Sequence, residues 1–119
     1  MSMNKHYYAI VGCDLTGFVT DKYEEWQNTE EGEKYTCYQS EGNIQLFDDL
    51  VNGNYSYFGY VLASGNEYNF NTAKLGIDDI VNVRGDVANA LAHLIEIGVV
   101  ELEPDFNPDY QVIIFEEYR

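Results

Sequence analysis

The chain has 119 residues, of which twenty-one are Asp or Glu and six are Lys or Arg, giving a formal charge of −15. That length holds one domain with one sizeable core, and that charge repels DNA, RNA and anionic membranes while attracting basic proteins. No apolar run approaches the roughly twenty residues of a membrane span, the first residues lack a signal peptide's apolar stretch, and two cysteines are too few for a disulfide scaffold.

A cytoplasmic protein with reduced, structural thiols at Cys13 and Cys37 is therefore expected. The acidity is not a tail: residues 1–60 carry ten acids and three bases, and residues 61–119 carry eleven and three. Eleven Tyr, six Phe and one Trp accompany it. Tyr is common on half-buried sheets and on protein-binding faces, and beside carboxylates it suits a surface that meets Arg and Lys.

Residues 7–15 read as a first strand. Tyr7, Ala9, Val11, Cys13 and Leu15 point one way, and Tyr8, Ile10, Gly12 and Asp14 the other. Apolar residues on both faces predict an interior strand. Thr20 or Asp21 then caps a short acidic helix, with Asp21 and Glu24 at capping-box spacing. Tyr23 and Trp26, three apart, pin it to the body. Asp21, Glu24, Glu25, Glu30, Glu31 and Glu33 face one base, Lys22, and residues 30–33 read as a turn.

Residues 34–38 and 43–47 read as two strands joined by a polar turn. Asp48 and Asp49 follow, then the turn dipeptide Asn52-Gly53. Residues 55–63 alternate clearly: Tyr55, Tyr57, Gly59, Val61 and Ala63 form one face, and Ser56, Phe58, Tyr60 and Leu62 the other. Gly59 marks a bulge or a close backbone approach. Residues 64–76 form a polar loop anchored by Tyr68 and Phe70.

The longest element is a helix over residues 78–97, bounded by Gly76 and Gly98. Ile80, Val83, Val87, Leu91 and Leu94 recur at steps of three and four and form one stripe. Asp78 and Asp79 suit its N-terminus, and Gly98 suits its close. His93 and Glu96, off the stripe, read as surface residues. A short strand at 99–102, a loop bracketed by Pro104 and Pro108, and a last strand at 110–115 complete the chain. The near-continuous apolar run of that last strand predicts burial on both faces. The expected fold is α+β: a mostly antiparallel sheet of about five to six strands, with one long and one short helix packed on it.

Chemical motifs are scarce. His6 and His93 stand in no nucleophile–base pattern, and no CxxC or HxxxH occurs for zinc. Asp48-Asp49 and Asp78-Asp79 lack the spacing of a calcium loop or a catalytic carboxylate pair. Gly12 and Gly17 stand at Walker spacing, but Phe18 follows where that loop needs Lys. No enzyme, cofactor or metal is expected.

Short length, the −15 charge, Tyr richness and acidic clusters such as Glu30-Glu31-Gly32-Glu33 and Asp48-Asp49 give the chain a general character. In it the chain resembles the small acidic anti-defence proteins of phages and mobile elements, above all the anti-CRISPR proteins. That resemblance implies a non-enzymatic inhibitor in the host cytoplasm, monomeric or dimeric. Its partner would be a basic nucleic-acid-binding protein, with a Cas9-type CRISPR effector nuclease first. Carboxylates on a rigid fold would then imitate a phosphate array in that nuclease's basic channel. Asp21, Glu24, Glu25, Glu30, Glu31, Glu33, Asp48, Asp49, Tyr55 and Tyr57 are the expected contacts. The alternatives are an immunity or antitoxin protein against a nuclease toxin, and a phage structural or assembly protein that self-associates through a Tyr-rich sheet.

Overall fold

A computed structural model describes residues 5–36, 42–49, 53–66, 68 and 76–118. Four strands and three helices follow in the order β1 (Lys5–Asp14), α1 (Lys22–Trp26), α2 (Glu30–Tyr35), β2 (Ile44–Asp48), β3 (Ser56–Asn66), α3 (Ile77–Glu96) and β4 (Gln111–Tyr118). The fold is α+β, and the strands form one sheet in the order β2-β3-β1-β4 with every pairing antiparallel.

β1 is the interior strand that its two apolar faces predict. Cys13, Leu15, Leu46 and Phe58 join Val87, Leu91 and Leu94 of α3, and Tyr23 and Trp26 of α1, in one core. The other face of the sheet carries Tyr8, Ile10, Phe47 and Val61 in a second cluster, flanked by Tyr55, Tyr57, Ile113 and Phe115. The helices therefore lie on one face of the sheet and most of its aromatic rings on the other. α3 buries the C-terminal part of its predicted stripe, while Ile80 and Val83 are half-buried. Gly98, at φ 84°, closes it.

Gly12 faces Gly59 across β1 and β3. A Cβ on Gly12 would overlap the Phe58 carbonyl and lie 2.6 Å from the Gly59 Cα; one on Gly59 would overlap the Val11 carbonyl. The close approach expected at Gly59 is present, and the bulge sits further along. The register shifts between Ala9 and Ile10, leaving Leu62 as the extra residue of β3, so Ala63 turns to the face opposite Val61.

Among the described residues two expected strands are not formed, which leaves four rather than five to six. Lys34 and Tyr35 belong to α2, because Thr29 starts a helix there; Cys37 and Tyr38 lie outside the described residues. At residues 99–102 pairing is limited to one bridge, Val19 with Val100, because β4 already occupies the free side of β1. Residues 30–33 are the first turn of α2 rather than a loop turn. Tyr68 is 78% exposed rather than a buried anchor, and Phe70 lies outside the described residues. β4 corrects a further expectation: it is an edge strand, with Ile114 75% exposed, so its apolar run is not buried on both faces.

Gly12→Ala is expected to destabilise the fold by about 3 kcal/mol, at the upper end for overpacking. Gly85 stands mid-helix in α3 with open space around it, so Gly85→Ala should stabilise by about 0.5–1 kcal/mol. Urea unfolding of both variants checks the pair; equal midpoints would contradict the contact at the sheet centre.

Candidate functional site

Two short helices and their caps carry six carboxylates, at Asp21, Glu24, Glu25, Glu30, Glu31 and Glu33. α1 is held at its start by Thr20, whose hydroxyl donates to the Gly98 carbonyl at 2.5 Å and accepts weakly from Lys22 N at 3.3 Å. Asp21 makes no side-chain cap, so its carboxylate stays on the surface. Tyr23 and Trp26 are each 7% exposed and pin α1 as their spacing predicts. Trp26 packs against Tyr35 of α2 in a tilted arrangement, with ring centroids 5.5 Å apart.

α2 is capped by Thr29. Its hydroxyl accepts from Gly32 N at 3.0 Å and donates to the Trp26 carbonyl at 2.6 Å, which ties the two helices together. Gly32 lies against that same carbonyl, where a Cβ would overlap the oxygen. The outward faces of this corner carry Asp21, Glu24, Glu25, Glu30, Glu31 and Glu33, all exposed. Glu30, Glu31 and Glu33 sit in the first turn of α2, where the helix dipole stabilises them. Glu31 also meets His93 Nε2 of α3 at 2.5 Å. His93 is therefore a tie between α3 and α2 as well as a surface residue.

The other expected contacts are elsewhere and engaged otherwise. Asp48 accepts from the Ser56 hydroxyl at 2.8 Å, and Asp49 accepts from Asn54 N at 3.0 Å. Both are half-buried and hold the β2–β3 connection. Tyr55 and Tyr57 stack with centroids 4.6 Å apart and pack edge-on to Phe115. They lie on the sheet face away from α1 and α2, and β3 is an interior strand, so they form no exposed edge. The ten expected residues thus separate into an acidic helical corner, a turn and an aromatic face.

Sequence reasoning missed Glu117, a carboxylate only 2% exposed. Tyr55 Oη donates to its Oε1 at 3.1 Å. Burial first, and then the negative Glu117, push the Tyr55 phenol well above its ordinary range. The signal was present: strict alternation in β4 sets Glu117 on the face of Ile113 and Phe115. Cys13 is fully buried, and burial followed by neighbouring Asp14 pushes its thiol up to about 12. It is an unreactive core group.

Sixteen of the nineteen carboxylates among the described residues are exposed, the exceptions being Asp48, Asp49 and Glu117. The charge is therefore on the surface and available to a partner. Among the described residues no group of His, Cys, Asp and Glu is placed to hold a metal ion, and no helix is long and apolar enough to cross a membrane. Comparison with protein-family models, curated proteins and solved structures gave no match.

The raised Cys13 thiol fixes a pH effect. Below pH 9 it is protonated whether the chain is folded or not; above pH 9 only the unfolded chain releases the proton. Stability should fall from about pH 9 to 12, by about 1.4 kcal/mol per pH unit from this group alone. Tyr55, whose phenol is raised from 10, adds to the loss above that value. Urea midpoints at pH 8, 9.5 and 11 check it. A Cys13→Ala chain should show a shallower decline, and an unchanged decline would contradict the assignment.

Proposed function

We propose that the protein is a non-enzymatic inhibitor of a basic, nucleic-acid-binding protein, and that the α1–α2 corner is its principal contact. The supporting observation is the placement of Asp21, Glu24, Glu25, Glu30, Glu31 and Glu33 on two helices fixed to the core by Tyr23, Trp26, Thr29 and Gly32. Carboxylates held in place lose less entropy on docking than mobile ones. A channel lined with Lys and Arg to bind nucleic acid offers counter-charge to this acid-rich corner. The partner class favoured is a CRISPR effector nuclease of Cas9 type, whose target-DNA channel and PAM-reading arginines are basic docking sites. The inhibitor occupies that channel and competes with DNA by charge mimicry. Asp48, Asp49, Tyr55 and Tyr57 take no part in the contact in this reading, because their side chains are spent on the turn and the aromatic cluster.

Affinity capture from host lysate at low salt should return a basic nuclease as the dominant partner, identified by mass. The variant Glu30→Lys, Glu31→Lys, Glu33→Lys should then weaken binding by about 100-fold or more, near 2.7 kcal/mol. The helical signal should persist, with a modest loss of stability from the helix dipole and the His93 tie. Asp48→Asn should cost stability and leave affinity unchanged. Affinity that follows Asp48 rather than the α2 acids would overturn the assignment.

A further inference from the structure

The strand β4 stands at one edge of the sheet. At the other margin of the sheet α2 stands beside β2, with Gln45 Nε2 donating to the Lys34 carbonyl at 2.9 Å. Among the described residues no strand lies beyond β4. The hydrogen-bond pattern identifies which of its backbone groups face outward. Val61 bonds to residues 42 and 43, and the carbonyl of Tyr55, just before β3, accepts from Asp49, so the odd-numbered residues from 55 to 61 address β2. The Ser56 carbonyl accepts from Leu15 N, so the alternate residues Phe58 and Tyr60 address β1, where they oppose Cys13 and Val11. Alternation turns Ile10 and Gly12 toward β4, opposite Ile113 and Gln111. Val112, Ile114, Glu116 and Tyr118 are left with N–H and C=O directed away from the sheet.

The side chains of those same residues are uncovered. Val112 is 39%, Ile114 75% and Tyr118 42% exposed, and Glu116 is exposed as well. Lys5 lies 3.6 Å from Glu116 and 5.5 Å from the Tyr118 ring centre, marking one end of the row. Natural edges are blunted by a covering element, a proline, a bulge or inward charge; among the described residues the Val112–Ile114 segment has none of these. It combines outward backbone donors and acceptors with apolar side chains, the arrangement that accepts an added strand.

Charge selects the occupant. The loop entering β4 carries Glu101, Glu103, Asp105 and Asp109, all exposed, and no Lys or Arg occurs from residue 99 to 110. A strand added antiparallel to β4 would end beside that loop. A second copy would bring another −15 to the same edge. We infer that β4 takes an extended segment of a basic partner as a fifth, antiparallel strand. That segment has apolar residues at alternate positions, opposite Val112 and Ile114, and Lys or Arg at its C-terminal end. The inference rests on the reading that the partner is basic, and names how part of it is held.

The test uses the whole chain and a short synthetic peptide of alternating valine and threonine ending in lysines. Amide exchange of Val112, Ile114, Glu116 and Tyr118 should slow on addition of peptide. Ile114→Pro, which removes one outward N–H at an edge position that tolerates proline, should weaken binding at least about tenfold, near 1.4 kcal/mol. A peptide N-methylated at its valines, which leaves the protein untouched, should fail to bind even where the proline variant misfolds. Reversing Glu30, Glu31 and Glu33 should leave peptide affinity within about twofold. Unchanged binding of the N-methylated peptide would overturn the added strand. A dimer sealed through β4 without peptide would overturn the heterologous occupant. Equal binding of a lysine-free peptide would overturn the basic occupant. Failure of the strand pairing alone would leave the α1–α2 contact standing.

Discussion

The approach of β1 to β3 at Gly12 and Gly59 is the contact on which the rest of the architecture depends. With no side chain on either residue, the two backbones lie closer than any Cβ would allow, and β1 becomes the strand around which both layers assemble. Its alternation sends Cys13 and Leu15 toward the helices and Tyr8 and Ile10 toward the aromatic cluster. Every later element attaches to one of those two sets. α3 and α1 close over the first, and β4 and the β2–β3 strands bring Phe115, Phe47 and Tyr57 to the second. A one-residue slip of β1 would exchange the two sets and bury Asp14 among the helices.

Much of this was legible from residue periodicity. Periodicity locates β1, β3 and α3 to within a few residues, and spacing alone marks Tyr23 and Trp26 as anchors. The failures have physical causes. Lys34 and Tyr35 carry strand-like neighbours, but Thr29 provides a helix cap three residues before Gly32, and tertiary contact with Trp26 stabilises the helix. β4 was misread because an apolar run reports hydrophobicity without saying what covers it. Its position at the edge depends on pairing with β1, which no local pattern encodes. Of the candidate site, the helical acids were placed on the surface as expected. Asp48 and Asp49 also hold the β2–β3 connection, a role that the acid pair alone does not show because an acid beside a turn caps the backbone as readily as it meets a partner. Glu117 was overlooked because its partner, Tyr55, lies sixty-two positions away.

Surface charge and the bare edge explain each other. An exposed apolar edge strand invites pairing between copies, and a net charge of −15 on each copy opposes it through long-range repulsion. The same charge favours a basic partner at both places, on the helical corner through carboxylates and at β4 through the acidic loop that precedes it. In the proposed reading, long-range attraction brings a basic partner in, and short-range strand pairing determines its register. The two contacts lie on different elements, so each can be weakened without unfolding the other.

The salt dependence of the dissociation constant for the captured partner tests the central claim most directly. Docking of a rigid carboxylate array in a nucleic-acid channel predicts that the logarithm of the dissociation constant rises linearly with the logarithm of salt. Between about 50 and 200 mM, affinity should fall by about 100-fold or more. A dissociation constant that stays level across that range would contradict charge mimicry as the basis of binding.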